Sequence, residues 1–216
     1  MNIYRYDLGD FQLFFDIFSG NSGSKFTHHH DSLLSYVIFY KGEEILVDPG
    51  KATFLSPSGY HLNFRHNGIW SSKCVLRPVQ RFFMPPVFLK NSIGIKIACE
   101  SNALIIRAEN FITGFKKSIC IKESCGKIFF SESLESNRAL GEVGFSHCFS
   151  GMDVSRADLN LYMFKSLIIK YDEAMKDGLV DRAIDYGETE RVASLSSHIK
   201  AIGRSASVGW SIASER

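Results

Sequence analysis

The chain lacks the sequence features of several large functional classes. No basic run interleaves with aromatic residues, and the formal net charge is only +2, so nothing predicts a nucleic-acid-binding surface. No stretch approaches the roughly 18–20 apolar residues that a membrane-spanning helix needs. Nucleophile elbows, phosphate-binding loops, dinucleotide fingerprints and HExxH motifs are also missing. Any site chemistry therefore has to come from less standard arrangements of histidines and carboxylates.

Paired cysteines and a secretion signal are lacking as well. The five cysteines are odd in number and form no CxxC pair, which predicts free, mostly buried thiols in a reducing compartment. The N-terminal segment has no basic head followed by a clean apolar run, because Asp7, Asp10 and Asp16 interrupt it. We therefore expect no signal peptide and a cytoplasmic location for the chain as written.

What the sequence does contain is a succession of short strands separated by turns. A length of 216 residues predicts a single domain, residues 1–216. Apolar residues alternate over 11–17, and a hairpin is predicted around Lys41–Gly42. Five further strands are predicted at residues 92–99, 103–108, 118–122, 127–131 and 159–169. The pattern is typical of an all-β fold, a two-sheet antiparallel β-sandwich or a barrel.

Helical signal is confined to the C-terminal third. Residues 171–203 contain many helix-forming side chains, but Gly178 and Gly187 interrupt them. We therefore predict minor C-terminal helical turns and no long helix.

One segment, "HHHDSLLSYVIFYKGEEILVDPG", combines three histidines with two aspartates. In an extended strand, residues two apart share a face, so His28 and His30 should project together. The hairpin that follows would return Asp48 to the neighbourhood of His30, and His61 or His66 could add a further donor. Imidazole and carboxylate ligands suit Zn²⁺. The alternative is a polar, histidine-rich surface loop.

Two families share parts of this pattern. The first is the cupin family, with its HxH and later PxG and His, which here would use His28, His30 and His61 as ligands. However, Ser35 lies near the place of the cupin glutamate, and the "SPSGYH" segment is out of register by one residue. A cupin-like metalloenzyme is therefore the weaker alternative.

The closer resemblance is to the C-terminal β-sandwich half of the heparinase II/III-like polysaccharide lyases. That family carries an H-G-H-x-D-x-L-S-F-E-L stretch, a glycine turn, L-L-V-D-P-G and then an H-N pair. This sequence resembles it at His28, His30, Leu34, Ser35, Gly42, Leu46, Val47, Asp48, Pro49 and Gly50. The H-N pair corresponds to His66–Asn67, while Tyr36 and Val37 replace the family's Phe-Glu.

The resemblance assigns roles to individual residues. It implies that His30, Asp48 and His66 hold a structural divalent metal, with zinc as the expected ion. It also implies that His28 faces the substrate cleft as a catalytic residue. Arg65 is a candidate for bidentate binding of a substrate carboxylate, and a solvated loop arginine is its alternative. His147, Trp70 and Trp210 are expected to pack rather than to form a site.

The implied chemistry is β-elimination on an acidic polysaccharide or oligosaccharide that contains uronic acid. Family members carry an α/α toroid that supplies a catalytic tyrosine, and this sequence begins almost at the sandwich. We therefore expect lyase activity to need a toroid, which a separately encoded chain could supply. A non-catalytic, metal-stabilised carbohydrate-binding domain or a remnant domain is the alternative.

Overall fold

The computed structural model describes residues 3–17, 34–48, 67–71, 93–100, 102–111, 114–185 and 188–215. These residues form sixteen strands in three antiparallel sheets. The first sheet has the order β1 (Ile3–Leu8), β2 (Phe11–Asp16), β3 (Tyr36–Tyr40), β4 (Glu43–Leu46). The second has the order β14 (Lys176–Asp185), β15 (Glu188–Ile199), β10 (Val143–Cys148), β5 (Gly68–Ser71). The third has the order β11 (Val154–Asp158), β12 (Leu161–Phe164), β13 (Leu167–Tyr171), β16 (Ser205–Ser214), β9 (Lys127–Ser136), β8 (Phe115–Ser124), β7 (Ala103–Asn110), β6 (Ile93–Glu100).

Period-two alternation of side chains explains which face of each strand is buried. In β2, Phe11, Leu13 and Phe15 are buried and the residues between them are only partly so. The same alternation runs through β9 and β16 of the eight-stranded sheet. Because one face of each sheet is apolar, the sheets stack with these faces together. Buried residues of all three sheets form one hydrophobic cluster, and the predicted all-β antiparallel sandwich is confirmed.

Two tight hairpins set the register of neighbouring strands. Lys41 (φ 52°) and Gly42 (φ 82°) join β3 to β4, and Cys125 (φ 53°) and Gly126 (φ 72°) join β8 to β9. Two consecutive residues with positive φ are typical of a type I′ turn, whose twist matches that of the paired strands. The hairpin predicted at Lys41–Gly42 is therefore confirmed.

The edge strand of the first sheet, β4, is joined to the second sheet beside the interior strand β10. An isolated bridge pairs Leu46, at the end of β4, with Phe149, just after β10. Next to it the Val47 N–H donates to the Cys148 carbonyl over 2.9 Å. The first two sheets therefore meet where the segment containing Asp48 leaves β4.

The predicted C-terminal helical turns are wrong for the residues that the structure describes. This stretch instead forms the long strands β14 and β15, paired in antiparallel fashion with Val180 opposite Val192. Both valines are buried in a small cluster with Val47 and Cys148. Pairing and burial of β-branched side chains outweigh the weak helix propensity of the residues between them.

Two smaller expectations also need correction. The single strand predicted over 159–169 is two strands, β12 and β13, because a turn with Lys165 at φ 54° separates them. Of the four cysteines described, Cys148 is buried but Cys99 and Cys125 are exposed, so "mostly buried" was wrong. Within the described ranges, no helix is long and apolar enough to cross a membrane.

Candidate functional site

Most of the predicted site residues lie outside the described residues. This holds for His28, His30, Arg65 and His66, and for His61 of the cupin-like alternative. Asp48 is the predicted ligand that the structure places. Among the described residues, no three His, Cys, Asp or Glu side chains lie together as a metal site. The predicted ligand set therefore stays a prediction, and what the structure shows is the framework that holds Asp48.

Asp48 lies beside the start of β3. The Ser35 hydroxyl donates to Asp48 Oδ2 over 3.2 Å, and the Ser35 residue is 2 % exposed. This follows from the hairpin, because antiparallel pairing of β3 and β4 returns the end of the second strand to the beginning of the first. The Asp48 carboxylate is thus held at the point where the chain arrives from the histidine-rich segment.

Asn67 connects three separate backbone segments with its carboxamide. Its Nδ2 donates to the Tyr36 carbonyl over 2.6 Å and to the Val47 carbonyl over 3.0 Å. Its Oδ1 accepts from the Cys148 N–H over 2.8 Å. Asn67 is completely buried, so these bonds satisfy a polar group that water cannot reach. We call this arrangement the Asn67 bridge.

Gly68 turns the chain immediately after Asn67. Its φ of 103° lies in the left-handed region, where a side chain is strained. A Cβ there would also lie 2.5 Å from Glu132 Oε2 and 3.2 Å from Lys117 Nζ. Glycine is therefore required both by the backbone conformation and by the close approach of β9 and β8 side chains.

The centre of the sandwich contains a second polar arrangement. Glu132 of β9 accepts hydrogen bonds from the Tyr36 hydroxyl at 2.5 Å, the Trp210 Nε1–H at 3.1 Å and the Ile69 N–H at 2.9 Å. The Tyr36 oxygen also contacts His147 Nε2 at 2.6 Å, and His147 Nδ1 lies 2.8 Å from the Tyr171 hydroxyl. We call this set the polar core network; its side chains are Tyr36, Glu132, His147, Tyr171 and Trp210.

The network fixes the protonation of its histidine. Because the Tyr36 proton points to Glu132, His147 Nε2 must donate to the Tyr36 oxygen. His147 Nδ1 then accepts from the Tyr171 hydroxyl. This is the neutral imidazole, and burial, followed by the charge of Lys117, holds the pKa of His147 well below 6.5. The expectation that His147 packs in the core is therefore confirmed.

Burial lowers the pKa of His147 but raises the pKa values of the two tyrosines. Desolvation, followed by the charge of Glu132, raises the pKa of Tyr36 well above 10.0. The pKa of Tyr171 is also raised well above 10.0; desolvation is the largest cause, and the electrostatic interaction with Tyr162 is the next. Both hydroxyls therefore keep their protons throughout the neutral range. Aromatic packing surrounds them, with Phe130 and Trp210 stacked at 3.9 Å between ring centroids, which confirms that Trp210 packs.

Lys117 lies next to this network on β8. It is 6 % exposed, and its Nζ donates to the Leu34 carbonyl over 3.4 Å. Together with the Ser35–Asp48 bond, this places one cationic and one anionic side chain against consecutive residues at the start of β3. The residues that enter β3 are therefore fixed from both the core and the site.

Sequence reasoning missed most of these residues, although signals for some were present. Glu132 lies on the buried face of β9, with Ile128, Phe130 and Leu134. An acidic residue at a position where the alternation predicts an apolar one was therefore a visible signal. Asn67 was noted only as part of the H-N pair. The long-range partners of both could not be read from the sequence, since they come from strands up to 96 residues apart.

Comparison with solved structures shows what the fold resembles. A crystal structure of heparinase III matches with a TM-score of 0.67 and 14 % identity over 99 % of this chain. The heparinase III BT4657 gene product matches with a TM-score of 0.66 and 13 % identity over 98 % of this chain. The heparan sulfate lyase HepC from Pedobacter heparinus matches with a TM-score of 0.65 and 10 % identity over 98 % of this chain.

These likenesses are to parts of larger proteins. The chain spans 34–35 % of each of those three chains. No protein-family model and no curated protein sequence matches it. At such low identity the likeness shows the fold alone: the chain has a β-sandwich like the one in heparinase III structures.

Proposed function

We propose that this chain is the β-sandwich part of a lyase that cleaves uronic-acid-containing polysaccharide by β-elimination. The observation that carries the proposal is the Asn67 bridge. It joins the backbone at Tyr36, at Val47 and at Asn67 itself, and each of these belongs to one of the three separate pieces of the lyase-like motif. The likeness of the fold to heparinase III supports the same proposal.

In this proposal His30, Asp48 and His66 hold a structural zinc ion. Two imidazoles and a carboxylate form a donor set that zinc accepts readily. The Ser35 hydroxyl donates to the Asp48 carboxylate and would orient it, as hydrogen-bond partners of metal ligands commonly do. When bound, zinc would supply a rigid link between the motif segments and no chemical step.

His28 and Arg65 are assigned to the substrate in the same proposal. Arg65 would pair with the uronate carboxylate, and His28 would help to neutralise it or assist proton removal. Neutralising the carboxylate acidifies the proton on C5. A base removes that proton, the C4–oxygen bond breaks as a C4–C5 double bond forms, and an acid protonates the departing glycosidic oxygen. The acid would be a tyrosine of an α/α toroid, a partner that the proposal requires.

The lyase proposal is tested by the ultraviolet absorbance of the unsaturated uronate product. Heparan sulfate and other uronate polysaccharides would be incubated with the chain alone and with a toroid-bearing polypeptide. We expect product with the toroid present, and its loss in His28→Ala. Exposed His198 (side chain 66 % exposed) provides the matched control, since His198→Ala should remain active. Absence of product under every condition would overturn the proposal.

Elemental analysis of the purified chain tests the metal assignment separately. We expect one zinc per chain, lost in Asp48→Asn, His30→Ala and His66→Ala and kept in His61→Ala. Loss of zinc in His61→Ala with retention in His66→Ala would support the cupin-like ligand set instead. Zinc and glycan binding without any product would support the non-catalytic carbohydrate-binding alternative.

A further inference from the structure

We propose that Asn67 is a positioning residue of this site: its carboxamide fixes the backbone next to Asp48 against the start of β3 and against Asn67 itself, which directly follows His66 in the sequence. The inference rests on the proposed function for its metal-binding consequence. The structural part stands on the described residues alone. Asn67 touches neither substrate nor metal in this proposal; it acts through the backbone of its neighbours.

The Asn67 carboxamide has one orientation that satisfies its hydrogen bonds. Nδ2 faces two carbonyl oxygens, of Tyr36 and Val47, and Oδ1 faces the Cys148 N–H. A flipped amide would place an oxygen against two oxygens and an N–H group against an N–H group. Since Asn67 is fully buried, no water can relieve such a mismatch. The side chain therefore defines the spacing of all three backbone segments.

The backbone atoms that Asn67 binds lie next to Ser35 and Asp48 in the chain. The Tyr36 carbonyl lies one residue after Ser35, and the Val47 carbonyl is bonded to the nitrogen of Asp48. Ser35 and Asp48 are themselves joined by the hydrogen bond at 3.2 Å. In the sequence Asn67 directly follows His66. A change at the carboxamide therefore displaces the backbone next to Asp48 and loosens the backbone that follows His66.

The backbone that follows Asn67 is itself held in place. Gly68 makes the turn that only glycine makes easily, and the next amide, Ile69 N–H, donates to Glu132 Oε2 over 2.9 Å. Because the backbone after Asn67 is fixed, the carboxamide is held in place against its three backbone partners.

Amide hydrogen exchange tests the positioning without any metal. Asn67→Asp keeps the size and the Oδ1 acceptor but removes both donors, and Asn67→Ser removes the bridge without adding charge. We expect exchange at the Val47 and Cys148 amides to become about tenfold faster in either variant. Ser71→Ala, which loses the hydroxyl bond to the Glu142 carbonyl at the far end of β5, is the control and should leave these two amides unchanged.

Zinc affinity provides the readout that a merely structural role would not move. We expect the affinity of the folded chain for zinc to fall about tenfold in Asn67→Asp and Asn67→Ser and to stay unchanged in Ser71→Ala. The inference is overturned if exchange at the Val47 and Cys148 amides is unchanged in the Asn67 variants. It is also overturned if the wild-type chain binds zinc and the Asn67 variants bind it with the same affinity. A wild-type chain that takes up no zinc overturns the metal assignment, and the exchange rates alone then decide whether Asn67 positions the Asp48 segment.

Discussion

The polar core network and the Asn67 bridge join different parts of the sandwich by different chemistry: the network includes the eight-stranded sheet, and the bridge joins the two four-stranded sheets. In the network, side chains of the eight-stranded sheet meet side chains of the smaller sheets, with Glu132 accepting from Tyr36, Trp210 and the Ile69 amide. In the bridge, one side chain meets only backbone atoms. A side-chain network at the centre stabilises the stacking of the sheets, whereas a side chain bonded to backbone fixes the path of individual segments.

This difference separates stability from site geometry. We expect substitutions in the polar core network to change the free energy of unfolding most. Substitutions around the Asn67 bridge should have smaller effects on stability and larger effects on binding. The following variants test that separation.

The largest effect is expected for Glu132→Ala. It leaves the Tyr36 hydroxyl, the Trp210 Nε1–H and the Ile69 N–H without an acceptor in a site that water does not reach, next to the Lys117 ammonium. We expect a loss of about 3–5 kcal/mol in the free energy of unfolding, measured by urea denaturation.

The control for this variant is Glu135→Ala on the same strand. Glu135 is exposed, so its removal should change stability by less than about 0.5 kcal/mol. If the two alanine variants unfold at the same urea concentration, the polar core network does not dominate stability and the comparison fails.

A second test concerns β5, the strand that links the two regions. Gly144 of β10 lies under the Trp70 ring, and a Cβ there would overlap the indole. We expect Gly144→Ala to push β5 outward and to cost about 1–3 kcal/mol, by thermal or urea unfolding. This close approach agrees with the expectation that Trp70 packs.

Gly209→Ala is the matched comparison for Gly144→Ala. There the added Cβ would meet the Asp172 carboxylate, the end of a side chain that can rotate away. We expect a clearly smaller loss of stability. An equal loss in both variants would mean that the position of β5 against β10 carries no special cost.

The fold was more accessible from the sequence than the site. Period-two patterns in β2 and β9 and the Lys41–Gly42 turn are local, so the strands and the sandwich could be predicted. The partners of Asn67 and Glu132 depend on contacts between distant strands, which no local pattern encodes. The C-terminal third was mispredicted for the same reason, because burial of Val180 against Val192 decides its conformation.

The pH dependence of stability tests the polar core network without disturbing its packing. Because the pKa of His147 is well below its ordinary value of 6.5, the unfolded chain takes up a proton that the folded chain does not. The contribution of neutral His147 is therefore complete above pH 6.5 and is lost as the pH falls below it. In urea denaturation between pH 8 and 5, the free energy of unfolding should be level above pH 6.5 and fall below it with a slope that approaches about 1.4 kcal/mol per pH unit.

His147→Gln should remove most of that slope while keeping a donor and an acceptor in place. His198→Gln, at an exposed position beside Glu142, should keep it. A slope in wild type no steeper than in His147→Gln would show that the imidazole gains its proton without breaking the network.

The smallest effect on stability is expected for Ser35→Ala, and it separates the two regions most sharply. The variant removes one hydrogen bond to Asp48, so the free energy of unfolding should fall by only about 0.5–1.5 kcal/mol. If Asp48 is a zinc ligand, losing the group that orients it should still weaken zinc binding about tenfold. Ser118→Ala loses a comparable bond, to the Ser133 hydroxyl at 2.6 Å on the large sheet, and should leave zinc affinity unchanged. Equal zinc affinity in the two alanine variants, measured by calorimetric titration, would mean that the Ser35 hydroxyl serves the fold and not the site.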